Sequence, residues 1–191
     1  GEAWQRNWPV RHHRYGELFE AATGIDPHRA EPAELREAAG RLDIGVRGLE
    51  LWDRDALLDL LVSHAVEPTL DPRAIHLVRA YPASQAALAR LRPGQPPVAA
   101  RFEAYLGGIE LANGFHELTD AGEQRARFEQ DNARRAGRGD TPVDIDERLL
   151  TALSAGLPDC AGVALGIDRL LMAAGRYAGM ADVTAFPLER A

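Results

Sequence analysis

The feature that most constrains the fold is a pair of adjacent glycines, Gly107-Gly108, between two segments in which apolar and polar residues alternate. Such a pair favours the two-residue turn of a β-hairpin, because glycine tolerates the positive φ angles that this turn requires. The pattern predicts strands at 100–106 and 109–115, with Leu106 opposite Ile109. The chain is therefore expected to contain an antiparallel sheet.

This register also places two glutamates near each other on one face of the hairpin. Tyr105 should lie opposite Glu110 and Glu103 opposite Ala112, so the two glutamates form a diagonal pair roughly 7 Å apart at the backbone. Two carboxylates at that spacing repel each other unless a positive group lies between them. The hairpin thus predicts a cation site at Glu103 and Glu110, with a solvated sheet face as the alternative.

The end of the second strand carries a further polar group. Glu117 falls on the opposite face from the glutamate pair if the strand is regular. A β-bulge at Gly114 would turn Asn113, His116 and Glu117 together toward that pair, since glycine permits the bulged conformation.

A strand of small residues at 162–167 leads directly into a helix that starts at Asp168. Arg169 then lies in the first turn of this helix, where free backbone N–H groups already favour an anion. A guanidinium at this place adds bidentate binding of a phosphate. The alternatives are a surface arginine paired with Asp168 or Glu189, and small residues that only allow close helix packing.

Composition excludes several classes of function. All 22 basic residues are arginine, which excludes a P-loop and Schiff-base catalysis because both need a lysine amine. A net charge of −7 without a long basic run argues against a chain that wraps nucleic acid. Cys160 is the single cysteine, so intrachain disulfides and cysteine-based zinc sites are excluded. No apolar run reaches the roughly 18 residues of a membrane span, and we expect a cytoplasmic protein.

The remaining patterns predict an α+β fold. Helical periodicity predicts helices in about 15–66, and both strands and helices are predicted in about 75–191. Ile75 to Ala80 reads as a strand, and a short helix rich in alanine and leucine is predicted soon after Gln85. At 46% hydrophobic residues, the chain has enough apolar side chains for a packed core.

Several separated segments resemble the lysyl branch of the class II aminoacyl-tRNA synthetases. They are Arg101-Phe102-Glu103, the run GIELANGFHEL at 108–118, and the run GVALGIDR at 162–169, which is similar to the third signature motif of the class. The segment 82–86 and the alanine at Ala164, where a glycine is usual, are closer to the paralogs that attach (R)-β-lysine to elongation factor P. The resemblance covers about 15–191.

The resemblance implies the class II catalytic core, an antiparallel sheet flanked by helices, and an ATP-dependent reaction with Mg²⁺. A lysine-like amino acid would be activated as its adenylate and transferred to a lysine of elongation factor P. Arg169 and Glu110 would be the catalytic residues. ATP would be bound by Arg169, Gly166, Glu103 and Glu110, and the last two would hold the metal.

The resemblance also implies the residues that bind the amino acid, lysine or (R)-β-lysine. Glu117 would bind the distal ammonium group with Asn113 beside it, and Ala164 would shape the pocket. Gln85, in the segment that favours the paralogs, is included in the same site.

The first and second motifs of the class have no counterpart here, so we expect 1–191 to be the C-terminal portion of a catalytic domain with an incomplete core. An incomplete core should expose apolar surface, and the full-length protein is expected to be a homodimer. Two alternatives stay open. One is a fragment of a lysyl-tRNA synthetase that charges tRNA, although tRNA is the less favoured partner. The other is a non-catalytic paralog that binds a nucleotide or a partner.

Overall fold

The computed structural model describes residues 7–187, and in this part of the chain a six-stranded sheet carries helices. The strands are β1 (Val10–Arg14), β2 (Ile75–Pro82), β3 (Leu91–Arg92), β4 (Val98–Leu106), β5 (Ile109–His116) and β6 (Ala161–Leu165). Their order is β1-β2-β4-β5-β6, and β3 pairs with β4. Only β1 and β2 are parallel among these pairs, and the others are antiparallel. The predicted α+β class with an antiparallel sheet is confirmed.

The helices begin and end largely where local chemistry dictates. They are α1 (Tyr15–Thr23), α2 (Pro32–Arg41), α3 (Arg54–Leu61), α4 (Ala121–Gly137), α5 (Glu147–Ala155) and α6 (Ile167–Gly175). Gly24 ends α1 with a φ of 75°, which favours glycine. A capping box of Glu31 and Glu34 begins α2. Asp53 caps α3, because its side chain accepts a hydrogen bond from the Ala56 backbone N–H.

The core lies between α1–α3 and one face of the sheet. The largest fully buried apolar side chains of these helices are Phe19, Leu35, Leu57, Leu58 and Leu61, and each contributes roughly 1.5–3 kcal/mol by leaving water. Val78, Tyr81 and Tyr105 belong to the same cluster from the sheet side. This packing fixes the sheet face on which the polar residues of the site also lie.

The hairpin turn is confirmed, but the predicted register holds for only two pairs. Leu106 pairs with Ile109 and Tyr105 with Glu110, whereas the next pair is Ala104 with Ala112. Leu111 is therefore an extra residue in β5, a β-bulge. The predicted pairing of Glu103 with Ala112 is wrong, and Glu103 lies opposite Asn113 instead.

The helix predicted after Gln85 is also wrong. A short 3-10 turn at Ala83–Gln85 is followed by Ala87 with a φ of 48°, a conformation that breaks a helix. The backbone groups that follow bond to the end of β5 instead, since Arg90 N–H donates to the His116 carbonyl and Ala89 forms an isolated bridge with Glu117.

The far edge of the sheet exposes apolar side chains. Val163 is 62% exposed and Ile167 is 59% exposed at β6 and the start of α6. Exposed apolar side chains of this kind suit a contact surface, and the expectation of an incomplete core stays a prediction. Within residues 7–187, no helix is both long and apolar enough to cross a membrane.

Candidate functional site

Glu103 is the centre of a hydrogen-bonded group on the helix-covered face of the sheet. Its Oε2 accepts hydrogen bonds from the hydroxyls of Tyr81, at 2.7 Å, and Tyr105. Its Oε1 accepts one from Asn113 Nδ2 at 3.2 Å and forms an ion pair with Arg101. The Arg101 and Glu103 side chains are each 13% exposed. A nearly buried carboxylate is thus held by one charge and three neutral donors, which use all four of its lone-pair directions.

Two irregularities in the strands bring these groups to one face. Arg101, Glu103 and Tyr105 alternate along β4 and so point the same way. The bulge at Leu111 restores Asn113 to that face, and a register shift between β2 and β4 turns Tyr81 toward Glu103. A regular hairpin would have placed Asn113 on the other side.

The two buried tyrosines act as neutral donors to Glu103. Burial raises the pKa of both the Tyr81 and Tyr105 hydroxyls, and the nearby Glu103 carboxylate raises them further. Both groups therefore stay protonated at any physiological pH. Their hydrogen bonds fix the Glu103 carboxylate without adding a charge.

Glu110 is the more accessible of the two paired carboxylates. Burial raises its pKa, and so does the charge of Glu103, while Arg169 lowers it. The Arg169 guanidinium lies 3.6 Å from Glu110 Oε2 and donates a hydrogen bond to the Glu110 carbonyl at 3.1 Å. The arginine predicted at the start of a helix is therefore paired with Glu110 rather than with Asp168, and Glu189, the other suggested partner, lies outside the described residues.

The bulge also positions the start of α6. The Leu111 carbonyl accepts a hydrogen bond from Gly166 N–H at 2.8 Å, and Gly166 is the residue that precedes the first turn of α6. Arg169 of that turn contacts the neighbouring Glu110. Residues 110–111 of β5 thus hold both Gly166 and Arg169 beside the carboxylate pair.

The residues predicted to bind the amino-acid substrate, apart from Gln85, lie along or just beyond the β5–β6 pair. Asn113 lies directly opposite Ala164, so Glu103, Asn113 and Ala164 form one row across three strands. Glu117 lies beyond this row, where a Cβ on Gly162 would overlap its Oε1. The bulge that turns this segment is at Leu111, so the predicted bulge at Gly114 is wrong. Gly114 instead has a packing role, because a Cβ there would lie 2.8 Å from the Gly162 carbonyl oxygen.

A cavity of about 850 Å³ opens beside the carboxylate pair. Glu103, Glu110 and Gln85 line it, whereas Glu117 and Ala164 do not. Gln85 is connected to Glu103 through Arg101, whose Nη1 donates to the Gln85 carbonyl at 2.9 Å. The residues of the predicted site therefore occupy two neighbouring areas, the cavity and the β5–β6 row, which meet at Glu103.

The predicted residue set missed several groups of the site. Arg101, Tyr81 and Tyr105 hold Glu103, and Asp59 of α3 accepts a hydrogen bond from Gln85 Nε2 at 2.8 Å. The alternation of arginine, glutamate and tyrosine along β4 could have indicated Arg101 and Tyr105. No local pattern points to Asp59, because only the packing of α3 brings it to the cavity.

The carboxylate pair has the donors that suit Mg²⁺, which is commonly bound by one or two carboxylates and substrate phosphates. Within residues 7–187, no group of three or more potential metal-ligating side chains occurs. Burial raises the pKa of Glu110, and repulsion from Glu103 raises it further; a cation would relieve that repulsion. Because the Glu103 oxygens already accept four hydrogen bonds, Glu110 is the better placed direct ligand.

Comparison with known proteins agrees with the resemblance found in the sequence. The "Elongation factor P--(R)-beta-lysine ligase" of Salmonella dublin is 51% identical over 183 residues, which cover 96% of this chain and 56% of that protein. The protein of the same name from Salmonella paratyphi B is 50% identical over the same shares. The chain thus spans 56% of the length of these relatives. The model of the family "tRNA synthetases class II (D, K and N)" matches residues 62–190, and the chain belongs to that family.

Proposed function

We propose that this chain is part of an ATP-dependent ligase that activates a lysine-like amino acid as its adenylate and transfers it to a lysine of elongation factor P. The observation that carries the proposal is the placement of Glu103, Glu110 and Arg169 together beside the Asn113–Ala164 row. The relatives of the same name, at 50–51% identity, support the choice of acceptor. The proposal concerns the whole protein, since the chain spans 56% of those relatives.

In this proposal Arg169 binds a terminal phosphate of ATP. The Arg169 side chain is 52% exposed, and the residue lies in the first turn of α6, where the helix N-terminus also favours an anion. Its contact with Glu110 keeps the side chain directed toward the carboxylate pair. Gly166 lets the phosphate approach the backbone closely, because it has no side chain to obstruct the start of the helix.

Glu110 would hold Mg²⁺ directly, and Glu103 would supply a second negative charge at a fixed place. The metal, when bound, neutralises phosphate charge during adenylate formation and release of pyrophosphate. The two tyrosines and Arg101 keep Glu103 from moving as charge is rearranged next to it. Such preorganisation lowers the cost of reaching the transition state.

The amino acid would lie along the β5–β6 row. Glu117 would bind the distal ammonium group, since it is the carboxylate beyond the row and its Oε1 lies where a Cβ on Gly162 would be. Asn113 would contribute a polar contact, while Ala164 would limit the depth of the pocket. Gln85, predicted in the same site, lies apart from this row, on the cavity side of Glu103.

Amino-acid-dependent exchange between ATP and pyrophosphate tests adenylate formation. This chain and its uninterrupted reading frame would be assayed with (R)-β-lysine and with α-lysine, beside the Salmonella dublin ligase as a positive control. We expect exchange by the longer protein with a preference for (R)-β-lysine. If neither protein exchanges pyrophosphate while Mg-ATP still binds, the adenylating function is refuted and the non-catalytic paralog is favoured.

Transfer of the activated amino acid distinguishes elongation factor P from tRNA as the acceptor. We expect the longer protein to label elongation factor P and not tRNA, and the opposite result would assign it to the lysyl-tRNA synthetases. Within the site, Arg169→Ala should weaken ATP binding, whereas Arg148→Ala on the exposed face of α5 is a matched control that should leave it unchanged. Equal ATP affinity in both variants would contradict the assignment of Arg169.

A further inference from the structure

The cavity extends beyond the carboxylate pair to a wall formed by α1, α3 and the segment after β2. Tyr15, Asp59 and Gln85 line this wall, and none of them was needed to hold Glu103. Asp59 accepts a hydrogen bond from Gln85 Nε2 at 2.8 Å. The wall therefore presents a carboxylate, an amide and a phenol from three separate parts of the chain.

Two polar atoms of this wall have no hydrogen-bond partner among the described residues. The Tyr15 hydroxyl is one of them, although Tyr15 is 3% exposed, and Gln85 Oε1 is the other. The charges that act most strongly on the Tyr15 hydroxyl are Asp59, Glu103 and Asp55, which all line the cavity. Tyr15 thus lines the cavity with a hydroxyl that is buried and has no partner among the described residues, and such an atom costs roughly 1–3 kcal/mol.

The acceptor atoms of the wall favour a ligand that donates hydrogen bonds. Gln85 Oε1 and the Asp59 carboxylate can only accept hydrogen bonds, and a phenol oxygen can also accept one. The cavity lining as a whole holds six carboxylates and three guanidiniums, so its charge favours a cation. A primary ammonium group has three N–H donors and a positive charge, which suits the three acceptor groups of this wall.

We propose that Tyr15, Asp59 and Gln85 form a subsite for a primary ammonium group. The proposal rests on the proposed ligase function for its ligand, which is the side-chain ammonium of the acceptor lysine. The amino acid to be activated is assigned to Glu117, on the other side of Glu103, so a second ammonium site on the cavity side places donor and acceptor across the carboxylate pair.

The surrounding protein removes water from Asp59 and, with Asp55 nearby, raises its pKa to about 6. At pH 7 the group is mainly ionised and suited to binding a cation, yet the protein does not depend on its charge for stability. A carboxyl whose pKa is raised by folding makes the folded state less stable as the pH rises through that value. Asp59→Asn should therefore fold, with equal or greater stability at pH 7.

Binding of small probes to this chain tests the subsite without any need for activity. The probes are Nα-acetyl-lysine methylamide, which mimics a lysine within a protein, free lysine, and Nα-acetyl-norleucine methylamide, which lacks the ammonium group. Binding would be followed by NMR chemical shifts of the chain. We expect the blocked lysine to bind and the norleucine compound not to bind. Asp59→Asn should weaken the blocked lysine at least fivefold, whereas Asp131→Asn, on the exposed side of the same cavity, should not.

The outcomes distinguish two ligands for the subsite, the acceptor lysine and the amino acid to be activated. If Asp59→Asn weakens free lysine and lowers pyrophosphate exchange in the longer protein, the subsite stands but serves the activated amino acid. If it weakens only the blocked lysine and lowers transfer with exchange unchanged, the acceptor assignment stands. Equal binding of every probe to Asp59→Asn and the unchanged chain would overturn the subsite, whatever the exchange assay shows.

Discussion

Replacing Arg101 by methionine tests whether the Glu103 group stabilises the fold. Arg101 forms the ion pair with Glu103, lies with its guanidinium carbon 4.4 Å from the centre of the Tyr81 ring, and donates to the Gln85 carbonyl at 2.9 Å. Methionine keeps much of the volume and removes the charge and the donors. The Glu103 carboxylate, 13% exposed, would keep only its neutral donors.

The magnitude follows from these contacts. Removing one partner of a buried ion pair costs roughly 3–5 kcal/mol, and the three donors that remain on Glu103 place this loss near the lower end. Losing the cation–π contact and the bond to Gln85 adds to it, at about 0.5–1.5 kcal/mol each, while the apolar methionine recovers part of the total. We expect the free energy of unfolding to fall by about 3 kcal/mol, and Tm by about 6–12 °C for a domain of this size.

Urea unfolding followed by circular dichroism measures this change. Arg101→Lys, which keeps the charge but lacks the planar fork of donors, should lose less. The double variant Arg101→Met/Glu103→Gln should lose less than the sum of the single variants, because neither charge is then left without its partner. Additive losses, or a loss below about 0.5 kcal/mol for Arg101→Met, would refute the reasoning.

Three further predictions address the register, the carboxylate pair and a helix end. Gly114→Ala should cost about 1–3 kcal/mol, since its Cβ would lie 2.8 Å from the Gly162 carbonyl oxygen; an unchanged urea midpoint would contradict the β5–β6 pairing. Glu103→Gln should lower the pKa of Glu110, because one of the charges that raise it is removed; an NMR titration in which that pKa is unchanged or higher would contradict the proximity of the pair. Asp146→Ala should destabilise α5 by about 1 kcal/mol and speed hydrogen exchange in its first turn, because Asp146 caps that helix; Asp146→Asn should retain the slow exchange.

The sequence predicts the parts of the fold that depend on local patterns. Gly107-Gly108 specified the hairpin turn, and both glycines have positive φ angles, of 62° and 77°. Gly24 and Asp53 marked helix ends for equally local reasons. The strand β1 was not predicted, because the segment VRHHR has no apolar alternation, and it is held by parallel pairing with β2 far along the chain.

The limits of prediction at the site have the same origin. The sequence brought Glu103 and Glu110 to one face, yet the bulge at Leu111 could not be predicted because leucine has no particular preference for such a position. The contact of Arg169 with Glu110 needs the β5–β6 pairing, and Asp59 reaches Gln85 only through the packing of α3. These contacts are set by tertiary structure, and no spacing in one segment encodes them.

The bulge in β5 ties the carboxylate pair to the start of α6 through the backbone. Deleting Leu111 would leave Glu110 opposite Tyr105 and Asn113 opposite Glu103, because the pairs on either side of the extra residue would then follow one another in a regular ladder. The same deletion would remove the carbonyl that receives Gly166 N–H. A substitution at Leu111 keeps that backbone carbonyl, so the start of α6 should be displaced by the loss of this residue rather than by a change of its side chain.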